Sequence, residues 1–208
     1  MIWDTLANFP AEQLLAFMAG ALMLNFAPGQ DVFFASACGI QHGPRAGALA
    51  GLGVGLGGLC HVTLATVGLG ALVAAHPGAL MAIKYAGAGY LLYLAWKSWH
   101  AGGAAPVARS GLRGWSILRR AALSNLLNPK PVLFLLAFLP QFTQPDYGPV
   151  WQQILALGLM FLCSGTLVTM GYGVVAGYAG QVMGARLGIM NRIAAVMFAG
   201  LALRLVWK

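Results

Sequence analysis

Long apolar runs separated by short polar turns dominate the pattern of this 208-residue chain. A helix needs about 20 apolar residues to cross a hydrocarbon core ~30 Å thick. Six runs meet that requirement, and each predicts one membrane-spanning helix. They cover residues 13–40, 46–75, 79–99, 117–142, 150–181 and 190–207. The pattern therefore predicts an all-α integral membrane protein with six transmembrane helices.

The composition supports this prediction. The chain is 60% hydrophobic and 8% charged, whereas charged residues make up about a quarter of an average soluble domain. A soluble fold of this size would need more polar surface than 12 basic and 4 acidic residues supply. The net charge of +8 comes from basic residues that fall mainly between the apolar runs. Orientation in the membrane explains that charge more simply than nucleic-acid binding does.

The basic residues divide between the two sides of the predicted membrane. One side holds Arg45, Lys97, Arg109, Arg113, Arg119, Arg120, Arg186 and Arg192. The other side holds Arg204 and Lys208, together with Asp4, Glu12 and Asp146. The positive-inside rule places the first set in the cytoplasm. A bacterial inner-membrane protein with both termini in the periplasm is expected.

A polar segment rich in Gly and Pro divides the chain into two halves of three helices each. Because three is an odd number, the halves would lie in opposite orientations, as in many secondary transporters. Within a single transmembrane domain, 1–208, the repeats would cover 1–100 and 117–208, joined by a cytoplasmic linker at 101–116. The first helix of each repeat carries a comparable break, at Asn25–Pro28 and at Asn125–Pro129. The sequence thus predicts two inverted three-helix repeats with broken first helices.

Glycines recur in the second helix of each predicted repeat. They are Gly47, Gly51 and Gly55 in the first repeat and Gly173 and Gly177 in the second. Small residues at this spacing let membrane helices approach closely. Packing inside one chain and a homodimer contact are both compatible with this pattern.

The first break reads Pro28-Gly29-Gln30-Asp31. Proline lacks a backbone N–H and glycine is unfavourable inside a helix, so the helix should open near mid-membrane. The freed backbone groups must then face protein or a water-filled cavity. The half-helix that starts here points its positive end at that cavity, which suits a carboxylate. A plain kink without a ligand is the alternative.

Asp31 is an acid inside a predicted span. Such a carboxylate is costly unless it is paired, hydrated or protonated, and it is usually functional. Asp31 is therefore a candidate for carrying a proton or for pairing with a substrate ammonium. The alternative is a structural role, in which the carboxylate caps nearby backbone N–H groups.

The second break reads Asn128-Pro129-Lys130. Asn followed by Pro is a favourable helix N-cap and first helical residue. Three roles are open for Lys130, which could neutralise Asp31, bind a substrate carboxylate, or extend to the cytoplasmic face. His61, near the middle of the second run, could relay protons or form a hydrogen bond between helices.

Three cysteines, Cys38, Cys60 and Cys163, each lie in an apolar run without metal-ligand spacing. We expect them to be small core residues. A thiol-redox enzyme would need Cys38 and Cys60 to react as a pair. The sequence predicts no enzyme activity, no cofactor and no metal site.

At these motifs the chain resembles the LysE/RhtB amino-acid exporters. That family carries Pro-Gly-Pro-(Asn/Asp) in its first helix and a glycine near ten residues later, here Pro28–Asp31 and Gly39. The resemblance continues over residues 84–91, 128–130 and 138–142 and covers essentially the whole chain. Gln30 stands where the family has its second proline, which should soften the kink and add an amide.

The resemblance implies efflux of amino acids or close analogues from the bacterial cytoplasm, by exchange with protons. The expected partners are an amino-acid substrate, protons and the lipid bilayer. Candidate substrate-binding residues are Asn25, Pro28, Gly29, Gln30, Asp31, Asn128, Pro129 and Lys130, and candidate proton-coupling residues are Asp31 and His61. The alternative is a cation exporter of similar architecture, which would need acidic or Asn ligands from both repeats. The positive charge of Lys130 would repel a cation and counts against this alternative.

Overall fold

A computed structural model of the chain describes residues 8–75 and 114–179, together with individual helical residues between 85 and 100 and between 192 and 203. Of residues 69–75 and of Pro129, only the backbone is described. Most of the third and sixth predicted helices and most of the linker at 101–116 lie outside the described residues. The described part of the chain is helical, without any strand.

Within the described residues, six α-helices can be followed continuously. They are α1 (Ala11–Phe26), α2 (Gln30–His42), α3 (Pro44–Ala75), α4 (Gly114–Leu126), α5 (Pro129–Phe138) and α6 (Val150–Ala179). Short 3-10 helices at Leu139–Phe142 and Pro145–Tyr147 connect α5 to α6. The predicted second and fifth runs each form one helix. The first and fourth runs are each divided into two helices at the predicted breaks.

Length and hydropathy identify the helices that can cross a membrane. Pro44–Gly68 of α3 and all of α6 qualify on their own. Gly114–Leu126 and Lys130–Phe142 qualify together as a third span, bent by 49°. Helix α1 is a shorter apolar helix. The described residues therefore hold two or three candidate membrane spans.

Two apolar clusters form the core. An aromatic cluster joins α1, α5 and α6, where the ring centroids of Phe134 and Phe138 lie 4.5 Å apart and those of Phe134 and Phe161 lie 5.3 Å apart. A cluster of smaller residues, including Ala35, Ala50 and Ala121, joins α2, α3 and α4. Small side chains there allow the helices to approach closely.

Helices α2 and α3 both approach α6 closely through glycines. A Cβ atom added to Gly47 would overlap the backbone of Gly173, and one added to Gly39 would overlap the Gly173 carbonyl. A Cβ atom on Gly177 would lie 2.6 Å from Cα of Pro44. The glycine spacing noted in the sequence thus serves close packing inside the chain.

Gln153, whose side chain is 0% exposed, ties the α5–α6 connection to the first turns of α6. Its Oε1 accepts a hydrogen bond from the backbone N–H of Gln144 at 3.0 Å. Its Nε2 donates to the carbonyls of Gln144 at 2.7 Å and Gly148 at 2.6 Å. One side chain therefore satisfies three backbone groups in this connection.

We expect Gln153→Leu to lower the free energy of unfolding by about 1–3 kcal/mol, because it leaves buried backbone groups unpaired. Thermal unfolding of the protein in detergent measures the effect. Gln141→Leu is the matched control, since Gln141 is exposed and donates only to Ala137 of its own turn. Equal melting temperatures for the two variants would contradict this role for Gln153.

Candidate functional site

The first break separates α1 from α2 and leaves two carbonyls at the end of α1 without helical partners. The second half of the chain supplies hydrogen bonds to both. The Tyr172 hydroxyl donates to the Phe26 carbonyl at 2.9 Å, and Lys130 Nζ donates to the Ala27 carbonyl at 3.0 Å. A cation at the negative end of a helix is favourable. Lys130 is thus directed into the first break.

The second break separates α4 from α5 and is closed by Asn128. The Asn128 Oδ1 atom accepts a hydrogen bond from the backbone N–H of Lys130 at 3.1 Å, and Pro129 occupies the first helical position. The N-cap predicted from Asn-Pro is confirmed. This cap leaves the Asn128 amide nitrogen available to donate elsewhere.

Asp31, in the first turn of α2, accepts a hydrogen bond from that amide nitrogen. Its Oδ2 atom accepts hydrogen bonds from Nδ2 of Asn128 at 2.9 Å and from Nδ2 of Asn125 at 3.0 Å. Asp31 and Lys130 also attract each other electrostatically. The two breaks are therefore linked in both directions. Asp31 of the first break accepts hydrogen bonds from two amides of the second break, and Lys130 of the second break donates to a carbonyl of the first.

A cavity of about 70 Å³ opens where the two breaks meet. Because one water molecule needs roughly 10–15 Å³ by this measure, the cavity has room for several waters or a small ligand. Its polar lining consists of Asn25, Asp31, His61, Asn125, Lys130, Thr166 and Thr169. Its larger apolar lining residues are Leu24, Val32, Val54, Val62, Leu135, Phe161 and Leu162.

His61 reaches the cavity from α3 and is 3% exposed. Its Nε2 atom lies 2.9 Å from the carbonyl oxygen of Asn125. A carbonyl oxygen can only accept, so Nε2 carries a proton in this contact; whenever the ring is neutral, Nδ1 is then an acceptor. Nδ1 is buried and has no hydrogen-bond partner among the described residues.

Only some of the predicted site residues line the cavity. Asn25, Gly29, Asp31, His61 and Lys130 all line the cavity. Asn25 donates through Nδ2 to Ser164 Oγ at 3.0 Å and to the Phe161 carbonyl at 3.3 Å.

Other predicted residues lie away from the cavity. Gln30 is exposed, and its amide donates to Ser124 Oγ at 2.9 Å. Pro28 is buried but is not among the lining residues, and Asn128 acts through its bond to Asp31. Of Pro129, only its backbone position at the start of α5 is described.

Sequence reasoning missed Asn125, Thr166 and Thr169 as site residues. Asn125 was noted only as part of a break, and the structure shows that its amide donates to the same Asp31 oxygen as the Asn128 amide. The two threonines of α6 carry no local signal, because their position depends on how α6 packs. Within the described ranges, no three His, Cys, Asp or Glu side chains are grouped closely enough to hold a metal ion.

These features define a helical membrane protein with a small polar cavity between two broken helices. Residues 22–208 match the family described as LysE type translocator, and the chain belongs to that family of membrane transporters. The resemblance seen at the breaks is thereby confirmed, and the protein is a transporter and not an enzyme.

Three relatives illustrate the similarity. An uncharacterized membrane protein of Vibrio cholerae is 35% identical over 192 residues, covering 89% of this chain and 92% of that protein. A homoserine/homoserine lactone efflux protein of Salmonella typhi is 36% identical over 170 residues, covering 79% and 81%. A leucine efflux protein of an Enterobacter species is 30% identical over 214 residues, covering 96% and 97%. No solved structure matches the chain.

Proposed function

We propose that this transporter exports neutral amino acids or close analogues from the bacterial cytoplasm in exchange for protons. The observation that carries the proposal is the pairing of Asp31 and Lys130, one from each break, in one cavity. A carboxylate and an ammonium together complement the two charges of an amino-acid zwitterion. The names of the relatives, homoserine and leucine efflux proteins, agree with such a substrate.

The apolar lining restricts the side chain of the substrate. Leucine, valine and phenylalanine residues from α1, α2, α3, α5 and α6 line the same cavity as Asp31 and Lys130. Among the described residues that line the cavity, Asp31 is the only acid and Lys130 is the only lysine or arginine. A third charge, on the substrate side chain, would therefore be unpaired and strongly disfavoured. This favours an aliphatic or hydroxylated neutral amino acid.

Asp31 provides a route for proton coupling. When the cavity is open to the cytoplasm, the ionised carboxylate binds the substrate ammonium, while Lys130 attracts its carboxylate. When the cavity opens to the periplasm, a proton replaces the ammonium on Asp31, and the substrate leaves. The protonated carboxyl group then returns and releases its proton to the cytoplasm. One proton enters for each amino acid exported by this cycle.

We further propose that six membrane-spanning helices form two inverted repeats in the inner membrane, with both termini in the periplasm. The reciprocal contacts between the two breaks support this arrangement, since each break contributes one charge to the other. Helix breaks at equivalent positions of inverted repeats commonly meet at a central substrate site.

Proteoliposomes containing the purified protein test this function. We expect labelled L-leucine or L-homoserine inside them to leave faster when the outside is acidic, because an inward proton gradient drives the exchange. Empty liposomes give the background, and a protonophore should abolish the acceleration. Efflux of neither amino acid above that background would contradict the proposed function.

A further inference from the structure

Three buried polar atoms, one on each of three residues that line the cavity, have no hydrogen-bond partner within the described part of the chain. They are Asp31 Oδ1, Asn125 Oδ1 and His61 Nδ1. All three residues line the same cavity, and Asn125 and His61 are each only 3% exposed. Buried polar groups are nearly always paired in folded proteins. Three of them in one cavity therefore point to a ligand that donates.

With Asp31 ionised and the His61 ring neutral, the neighbouring hydrogen bonds make all three atoms acceptors. An ionised carboxylate only accepts, so the Asn125 amide must present Nδ2 to Asp31, which leaves its Oδ1 atom unpaired. The His61 ring must present Nε2–H to the Asn125 carbonyl, which leaves the lone pair on Nδ1. Neither side chain can rotate to become a donor without losing its present bond.

Asn125 is hydrogen-bonded to both of the other residues. Its side chain bonds Asp31 of α2, and its backbone carbonyl bonds His61 of α3. Asn128, at the N-cap of α5, donates to the same Asp31 oxygen at 2.9 Å. The acceptors thus come from three helices but share one central residue, which keeps them preorganised before a ligand arrives.

We propose that these three acceptors form the binding subsite of the substrate's primary ammonium group, and that transport requires this group to be unsubstituted. The inference rests on the proposed function and adds to it the chemical class of the amine. A primary ammonium has three N–H donors, one for each acceptor. The Lys130 ammonium itself donates to the Ala27 carbonyl at the end of α1, at 3.0 Å.

N-Methylation removes one of the three donors. An N-methyl amino acid, or a cyclic one such as proline, leaves one buried acceptor unpaired and places a methyl group against it. A site built around hydrogen bonds to its substrate discriminates strongly against analogues that lack a donor. An analogue without any amine leaves all three acceptors and the Asp31 charge unpaired.

Competition in counterflow by the wild-type protein tests the subsite without any mutation. Proteoliposomes loaded with unlabelled L-leucine take up labelled L-leucine, and competitors are added outside. We expect N-methyl-L-leucine to compete at least about 10-fold less well than L-leucine. We expect 4-methylpentanoate, which lacks the amine, not to compete. Equal competition by L-leucine and N-methyl-L-leucine would overturn the subsite and leave the proposed function intact.

Failure of the proposed function itself has a different signature. In that case neither labelled L-leucine nor labelled L-homoserine would show counterflow above empty liposomes. Three acceptors can also bind a metal cation, and sodium is the probe for this alternative. If sodium chloride, but not choline chloride, stabilised the purified protein against heat as much as L-leucine does, the acceptors would be a sodium site and the ammonium subsite would be wrong.

A His61 variant separates recognition from folding. His61→Phe removes one acceptor, so the preference for L-leucine over N-methyl-L-leucine should shrink several-fold, a ratio that a purely structural role would not change. His100→Phe is the matched control, because His100 is exposed and bonds the Trp96 carbonyl of its own helix. An unchanged preference in His61→Phe would remove His61 from the subsite.

Discussion

Asp31→Asn is expected to lower proton-driven leucine efflux by about 10- to 100-fold, the range for loss of a hydrogen bond to a charged group. The variant keeps the size of the side chain but removes the charge that we propose pairs with the substrate ammonium. It also removes the proposed proton carrier. Its amide would donate towards Asn125 and Asn128, which already direct their own donors to this position. Efflux from proteoliposomes under an inward proton gradient measures the effect.

Asp146→Asn is the control for this prediction. Asp146 is an exposed acid in the 3-10 helix Pro145–Tyr147, outside the cavity, and its substitution makes the same chemical change. We expect it to retain wild-type efflux and wild-type proton dependence. If Asp31→Asn also exchanges substrate with normal proton dependence, Asp31 is not the coupling residue.

Gly173→Leu is expected to have the largest effect on stability. Any side chain at this position meets the backbone of Gly47, so the crossing of α3 and α6 cannot form without displacement of both helices. Overpacking commonly costs about 1–3 kcal/mol, and a clash with backbone, which cannot change rotamer, should exceed that range. We expect a large fall in the melting temperature or loss of folded protein from the membrane fraction.

Gly171→Leu is its matched control, two residues away on the same helix. None of the described atoms outside the local helix lies within 4 Å of a Cβ atom at Gly171. Both substitutions improve helix propensity by about 1 kcal/mol, so the difference between them reports the crossing alone. Similar melting temperatures for the two variants would show that the close contact does not stabilise the fold.

The helix breaks could be predicted because their causes are local. Pro28-Gly29 and Asn128-Pro129 interrupt apolar runs, and a proline inside a helix removes a backbone hydrogen bond and clashes with the preceding turn. The ends of α1, α2 and α5 accordingly lie close to these motifs. The six-helix inverted repeat stays a prediction, since its third and sixth helices lie largely outside the described residues.

The partners of the site residues could not be predicted, because they are remote in sequence. Asp31 and Asn125 are separated by 94 residues, and Asn25 and Ser164 by 139. Proximity along the chain suggested that Gln30 belongs to the site, but one step along a helix turns a side chain by about 100°, and Gln30 faces Ser124 instead. Local pattern thus located the breaks, whereas packing determined which side chains face the cavity.

The central claim is that the two breaks enclose one amino-acid site, and protection of a single cysteine tests it most directly. Thr166 lines the cavity from α6. Thr166→Cys in a background with Cys38, Cys60 and Cys163 changed to alanine would be treated with a water-soluble thiol reagent in the presence and absence of L-leucine. Asp146→Cys in the same background controls for effects of leucine on the reagent. We predict that leucine slows modification at position 166 several-fold and leaves position 146 unchanged. An equal rate of modification at position 166 with and without leucine, in a variant that still exports leucine, would contradict the account.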